Sequence, residues 1–77
     1  MNPDQSKAAR YLLGWNQEKL ATKAKLSKRT VAAFESGQTT QVQSVNSMEQ
    51  AFETAGIKFV DTADEIGVLL KKRKERK

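Results

Sequence analysis

Residues 16–37 read NQEKLATKAKLSKRTVAAFESG, and their pattern predicts two short helices joined by a tight turn. Asn16 and Ser27 are residue types that cap helix N-termini, and Gly37 is a type that ends a helix. Hydrophobic residues occupy both positions of a hydrophobic staple around each cap, as Trp15 with Leu20 and Leu26 with Val31. Because only residues 25–27 are left between the two helices, the sequence predicts a helix-turn-helix unit.

The flanking sequence predicts two more helices. Asn2 can cap a first helix with Pro3 at its first position, and Gly14 ends that helix after about residue 13. Thr40 and Gln43 have the spacing of a capping box at the start of a fourth helix. That helix is predicted from apolar residues that recur every three or four positions, namely Val42, Val45, Met48, Phe52 and Ala55. Gly56 follows as its stop signal.

Beyond Gly56 the hydrophobic period changes from three or four to two, which is typical of strands. Residues 57–60 and 66–70 alternate on either side of the turn-like stretch DTADE. We therefore predict a mainly α fold: a four-helix helix-turn-helix domain over residues 1–70 that includes a C-terminal β-hairpin over 57–70. Residues 71–77, KKRKERK, are predicted to form a flexible basic tail.

Composition excludes several classes of function. The 77 residues contain no Cys and no His, so disulfides, thiolate metal sites and the commonest general base are unavailable. We expect no metal, no cofactor and no enzyme activity. No apolar run reaches the ~18 residues that span a bilayer, and MNPDQSKAAR is too polar for a signal peptide. We therefore expect a cytoplasmic protein without a membrane partner.

The charge distribution favours an anionic partner. The net charge is +5, but residues 15–37 carry +3, residues 38–70 carry −4 and residues 71–77 carry +5. Two basic segments thus flank an acidic middle, and one of them is the predicted helix-turn-helix. Basic patches of this kind are typical of nucleic-acid binding, although a basic terminus is also compatible with a solvated tail.

The helix-turn-helix stretch resembles that of phage repressor/Cro-type (Xre-like) regulators. Eight residues match the family pattern in register, namely Gln17, Leu20, Ala21, Leu26, Ser27, Val31, Glu35 and Gly37. The stretches ARYLLGWNQ and AFETAGIKFVD with GVLLKK resemble the family's first helix and a subgroup with an appended hairpin. One departure is Lys25, which stands where the family often has Gly; at positive φ it would be strained by roughly 1 kcal/mol.

The resemblance implies that the third helix, residues 28–36, enters the major groove of double-stranded DNA. The implied base contacts are Ser27, Lys28, Arg29, Ala32, Ala33 and Ser36. Arg reads guanine through paired hydrogen bonds, and an alanine methyl packs against the thymine methyl. Small residues also allow close approach. The alternative is that Lys28 and Arg29 are solvated surface and that the alanines only favour a helix.

Other roles are implied around this helix. The implied phosphate contacts are Gln17, Gln38, Thr39, Thr40 and Gln41, which lie at the starts of the second and fourth helices. Lys19, Lys23 and Lys25 are weaker candidates, because lysines on a short helix are often only solvated. The family pairs the position of Glu35 with an arginine in the first helix, which Arg10 matches, so these two residues are expected to form a structural ion pair.

A single helix-turn-helix reads one half-site, so we expect a homodimer on two half-sites about one DNA turn apart, ~34 Å. The expected dimer element is the hairpin, with Ile66, Val68, Leu69 and Leu70 at the interface. Leu69 points away from the face shared by Val68 and Leu70, so it would be exposed in a monomer. The alternative is that Leu69 packs against the fourth or the first helix.

Two other functions are considered. A protein-interaction module on the same fold, such as an antiactivator or antitoxin, is favoured by the bare Ala32 and Ala33 and by the acidic stretch 49–65. A salt-dependent, sequence-selective DNA complex would discriminate against it. A metal-dependent hydrolase built on Asp61, Asp64 and Glu65 is disfavoured, because these three acidic residues are more simply a polar turn without a nucleophile.

Overall fold

The computed structural model describes residues 1–72, in which four helices precede an antiparallel pair of strands. The helices are α1 (Pro3–Leu13), α2 (Gln17–Ala24), α3 (Lys28–Glu35) and α4 (Val42–Thr54), and the strands are β1 (Ile57–Asp61) and β2 (Ile66–Leu70). This arrangement confirms the predicted fold class. Residues 73–77, most of the predicted basic tail, lie outside the described residues.

Side-chain caps start the first three helices where the sequence predicts them. The side chains of Asn2, Asn16 and Ser27 each accept a hydrogen bond from the backbone amide three residues on, at 2.7, 2.7 and 3.1 Å. Each bond satisfies an amide that has no partner within its helix. Lys25 ends α2 at φ 61, which is the left-handed conformation that favours glycine.

Two predicted helix boundaries are wrong. The capping box of Thr40 and Gln43 does not form, because α4 has Gln41 as its N-cap and no side-chain cap. The Thr40 hydroxyl instead donates to the Gln38 carbonyl at 3.2 Å. The helix predicted over 28–36 ends one residue earlier, at Glu35, and Ser36 is its C-cap.

The core lies between the helix-turn-helix, α1, α4 and the first residue of β1. Its buried members are Ala9, Leu20, Ala21, Ala24, Val31, Phe34, Met48, Phe52 and Ile57. Phe52 stacks on Trp15 with ring centroids 5.8 Å apart and meets the edge of Phe59 at 5.9 Å. Since Phe59 belongs to β1, this aromatic row attaches the hairpin to the helical core.

The hairpin also has a polar attachment to α1. β1 and β2 pair with Val60 opposite Gly67. The buried side chain of Gln5 donates from Nε2 to the carbonyls of both residues, at 3.2 and 3.0 Å. Gln5 Oε1 in turn accepts from the Asn2 amide at 3.0 Å. One amide group therefore completes the capping box of α1 and holds the hairpin against that helix.

β2 leaves hydrophobic side chains exposed on the described chain. Ile66 and Leu69 are 56% and 55% exposed and Leu70 is 40% exposed, whereas Val68 packs against the core. The alternative in which Leu69 packs against α1 or α4 is therefore wrong.

Candidate nucleic-acid interface

α3 has one buried face and one exposed face. Val31, Phe34 and Glu35 are buried and fix the helix against the rest of the domain. The exposed face carries Arg29, Ala32, Ala33 and Ser36, which are spaced so that they share one side of a helix. Arg29 and Ser36 are exposed and the two alanines between them are partly exposed. The exposed face is therefore a shallow strip with the two alanine methyl groups in its middle and the long cationic side chain of Arg29 at its N-terminal end.

The two serines at the ends of α3 already have partners within the helix. Ser27 Oγ accepts from the Thr30 amide at 3.1 Å and lies 2.9 Å from Thr30 Oγ1. Ser36 Oγ donates to the Ala32 carbonyl at 2.7 Å. A hydroxyl has one donor and two acceptor positions, so each serine keeps limited capacity for a base contact. The long exposed side chains of Lys28 and Arg29 carry most of the hydrogen-bonding capacity of this helix.

Lys28 lies beside the N-terminus of α2. It lines an open cavity of about 310 Å³ together with Arg10, Asn16, Gln17 and Glu18. The first turns of α2 and α3 therefore border a common space, which is lined by the cations Arg10 and Lys28 and by the exposed carboxylate of Glu18. Lys19, Lys23 and Lys25 are also exposed.

Buried Glu35 on α3 accepts hydrogen bonds from side chains of α1 and α2, and so it joins the first three helices. Arg10 donates from Nε to Glu35 Oε2 at 2.9 Å and from Nη2 to Oε1 at 2.7 Å. Ser6 Oγ donates to Oε2 at 2.5 Å, and Gln17 Nε2 donates to Oε1 at 3.1 Å. Arg10 also donates from Nη1 to the Trp15 carbonyl at 3.2 Å. The structure thus brings Arg10 and Glu35 together in a two-bond ion pair.

The surroundings of Glu35 keep its carboxylate ionised. Burial alone would raise the pKa of Glu35, but hydrogen bonds from Arg10, Ser6 and Gln17 and the charge of Arg10 lower it further than burial raises it. The net result is a pKa below the ordinary value for this side chain. The anion on α3 is consequently paired inside the domain and does not face the exposed strip.

Ser6 and the side-chain role of Gln17 were not predicted. Ser6 is fully buried, although serine is mostly a surface residue. Its only sequence signal is its position four residues before Arg10, which places both side chains on one side of α1. The resemblance implies a phosphate contact for Gln17, and in the structure its side-chain amide nitrogen donates to Glu35 Oε1.

The predicted phosphate contacts after α3 lie in the segment before α4. Gln38, Thr39 and Gln41 are exposed and Thr40 is partly exposed. Since Gln41 makes no side-chain cap, the first amides of α4 are left to other partners. Gln17, at the start of α2, lines one cavity with Lys28 at the start of α3, whereas these four residues follow the end of α3 in the chain.

Two structural findings concern other classes of site. Within residues 1–72, no group of three or more His, Cys, Asp or Glu side chains is placed to hold a metal ion. In the same part of the chain, no helix combines the length and apolar character that crossing a bilayer would require.

The fold and the exposed α3 define a helix-turn-helix protein. A family model described as helix-turn-helix matches residues 7–58, more than half of the chain. The chain therefore belongs to this family, the Xre/Cro-like helix-turn-helix regulators, and is a DNA-binding regulator of transcription. A search of curated proteins gave no match.

Proposed function

We propose that the protein is a sequence-specific regulator that inserts α3 into the major groove of double-stranded DNA. The observation that carries this proposal is the exposed strip of Arg29, Ala32, Ala33 and Ser36. A helix enters the groove most closely where its side chains are small, and bases are read by the longer side chains at its N-terminal end. α3 has this order of side chains, and its own acidic residue is buried and paired.

Each residue of α3 then has a distinct role. Arg29 reads a guanine through two hydrogen bonds, and Lys28 contacts a neighbouring base acceptor. Ala32 and Ala33 pack against thymine methyl groups. Ser27 and Ser36 contribute only through the hydrogen-bonding capacity that remains on their hydroxyl groups after their bonds within the helix.

Phosphate contacts hold α3 in register. Gln17 contributes its backbone amide at the start of α2, since its side-chain amide nitrogen donates to Glu35. Gln38, Thr39, Thr40 and Gln41 contact the phosphates beyond the C-terminal end of α3, where the helix dipole of α4 favours an anion.

The proposed active form is a homodimer on two half-sites. Residues 1–70 form the DNA-binding domain, and the hairpin residues Ile66, Val68, Leu69 and Leu70 supply the subunit interface. Exposed hydrophobic side chains on β2 support this assignment. Two linked copies double the base contacts and impose a half-site spacing of about one turn.

Substitution of Arg29 tests the proposal. Arg29→Ala is expected to weaken binding to the preferred site by ~1 to 3 kcal/mol and to relax the preference at one base pair, with thermal stability unchanged. Binding is measured by fluorescence anisotropy on the preferred duplex and on a scrambled duplex. An equal loss on both duplexes would mean that Arg29 only neutralises phosphate charge.

Two control variants make the comparison specific. Lys58→Ala removes one cation from the hairpin, so it should leave the preference for the site unchanged. Thr39→Ala removes a proposed phosphate contact, so it should weaken binding to both duplexes by the same factor. A change of base preference in Thr39→Ala would contradict the role assigned to the segment before α4.

A protein-interaction module is the competing function. The highly exposed Tyr11, 85% accessible on α1, is the observation that favours it. Tyrosine is enriched in protein interfaces. The absence of any salt-dependent, sequence-selective complex in the same titrations would establish this alternative over DNA reading.

A further inference from the structure

Two open cavities lie along the junction of α1 and β2. Ala8 and Leu12 lie one turn apart on α1, and Ile66, Val68 and Leu70 share one face of β2. Ala8, Ile66 and Val68 line a cavity of about 250 Å³ at one end, while Leu12 and Leu70 line one of about 800 Å³ at the other. We call these five residues the α1–β2 groove.

The groove is open on the described chain. Leu12, Ile66 and Leu70 are 43%, 56% and 40% exposed, and Tyr11 on α1 is the most exposed large hydrophobic residue. A small domain is only marginally stable, and hydrophobic side chains that stay in water do not add to its stability. Contiguous apolar patches on a protein surface mark interaction sites. Leu69 lies on the other face of β2, opposite Lys58 in the register.

The two ends of the groove carry opposite charge. Asp4 lines the end at Ile66, and the exposed Asp64 and Glu65 directly precede that residue in the hairpin turn. Lys7, one turn from Asp4, is the cation nearest to this end along α1. The end at Leu70 is lined by Lys71 and Lys72. The five residues of β2 separate the ends by about 13 Å, more than the ~8 Å screening length at physiological salt.

We infer that the occupant of the α1–β2 groove is the same groove of a second copy, docked in the antiparallel direction about a two-fold axis. This inference rests on the proposed homodimer and assigns it to one face of the hairpin. In an isologous interface the same surface meets itself, so a polarised groove is self-complementary only when the two copies run in opposite directions. Each acidic end, with Ala8 and Ile66, then meets the partner's basic end, with Leu12 and Leu70.

This docking leaves the DNA-binding surface accessible. The residues that line the two cavities come from α1, α4, the hairpin and their flanking positions, and α2 and α3 contribute none. A dimer formed through the groove can therefore assemble before DNA binds, and its formation does not require Arg29 or the segment before α4.

Charge reversal and complementation test the inference. The basic-end variant is Lys71→Glu with Lys72→Glu, and the acidic-end variant is Asp64→Lys with Glu65→Lys. Each alone places like charges at both contacts of the antiparallel dimer, so each should raise the dimer dissociation constant about tenfold or more at low salt. An equimolar mixture should form heterodimers with near wild-type affinity, because both contacts again join opposite charges. Sedimentation equilibrium without DNA measures the affinities.

Control variants on the other face identify the surface. Lys58→Ala and Lys58→Glu alter the opposite side of the same hairpin and should leave the dimer intact, whereas Leu12→Ser should weaken it. Circular dichroism monitors folding of every variant. Dimer loss in Lys58→Glu but not in Leu12→Ser would overturn the groove assignment, as would failure of the mixture to restore association.

The experiment separates this inference from the proposed function. A wild-type protein that stays monomeric without DNA at every concentration would overturn both the groove and the preformed homodimer. If the wild type dimerises and both charge-reversal variants dimerise with the same affinity, the groove assignment alone would be overturned. DNA titrations of the same samples report α3 independently, so loss of sequence selectivity would count against the proposed function and not against the groove.

Discussion

Glu35 illustrates how the proposed DNA-binding helix, α3, can carry an acidic residue. Its carboxylate is buried, and three donor side chains from α1 and α2 surround it. An exposed carboxylate on the same helix would repel DNA phosphates, whereas this one faces inwards and is neutralised by Arg10. The same bonds fix the angle between α1, α2 and α3, on which the presentation of Arg29 depends.

Separate and combined removal of Arg10 and Glu35 should show strong coupling. Arg10→Ala leaves a buried carboxylate without its cation, so we expect a loss of about 3 to 5 kcal/mol in the free energy of unfolding. The double alanine variant should cost less than the sum of the single changes, with a coupling of about 0.5 to 3 kcal/mol. Urea denaturation measures all four proteins. Strict additivity would show that the two side chains do not interact.

Two further comparisons test whether the coupling is specific to Arg10 and Glu35. Arg10→Ala combined with Glu53→Ala, an exposed acidic residue on α4, should be additive. Acidification provides the second comparison, because the pKa of Glu35 is lowered on folding from its ordinary value of 4.5. The stabilisation it provides is therefore present above pH 4.5 and is lost as the pH falls through the lower folded pKa. Glu35→Gln should flatten the stability profile in that range.

Only part of this network could be predicted from sequence. Arg10 and Glu35 were paired through the family resemblance, not through their separation of 25 residues. Ser6 and the bond from the Gln17 side chain were missed because nothing in local spacing reports which side chains from different helices converge on one carboxylate. Tertiary convergence of this kind requires the packing angles of all three helices.

At the scale of elements, the turn between α2 and α3 depends on an unusual backbone conformation. Lys25 adopts φ 61, in the left-handed region that favours glycine. Its side chain is exposed and the described structure gives it no hydrogen bond or ion pair. The sequence identified this position because the residue type departs from the family pattern.

Lys25→Gly should therefore stabilise the protein. Relief of the left-handed strain is worth roughly 1 kcal/mol, partly offset by the greater freedom of glycine in the unfolded chain. Lys23→Gly is the matched control, because it introduces the same residue inside α2 and should destabilise by about 1 kcal/mol. Thermal denaturation compares the two. A loss of stability in both variants would show that the turn does not strain Lys25.

The start of a helix was predicted correctly where a side chain caps it, and the prediction was wrong where no side chain does. Asn2, Asn16 and Ser27 cap their helices through local bonds, so residue type and spacing were sufficient. The start of α4 was misplaced because the Thr40 hydroxyl bonds to the Gln38 carbonyl and leaves Gln41 as an unassisted cap. Two equally local hydrogen bonds competed there, and the sequence does not rank them.

At the scale of the whole molecule, the hairpin is docked on α1 while α3 presents the proposed DNA surface. Gln5 and the aromatic row of Trp15, Phe52 and Phe59 hold the hairpin in place. The alternating hydrophobic pattern predicted the hairpin itself. It did not predict the groove that the hairpin forms with α1, because α1 and β2 are more than fifty residues apart in the chain.

The most direct test of the central claim is a binding selection from a pool of duplexes with randomised sequence, carried out with the full chain at two salt concentrations. We predict enrichment of one motif made of two inverted half-sites with centres about one helical turn, ~34 Å, apart. Binding should fall steeply as salt rises, since cations that contact phosphates release condensed counterions. A pool that stays random after repeated rounds, or that binds equally at both salt concentrations, would contradict the account that α3 reads DNA.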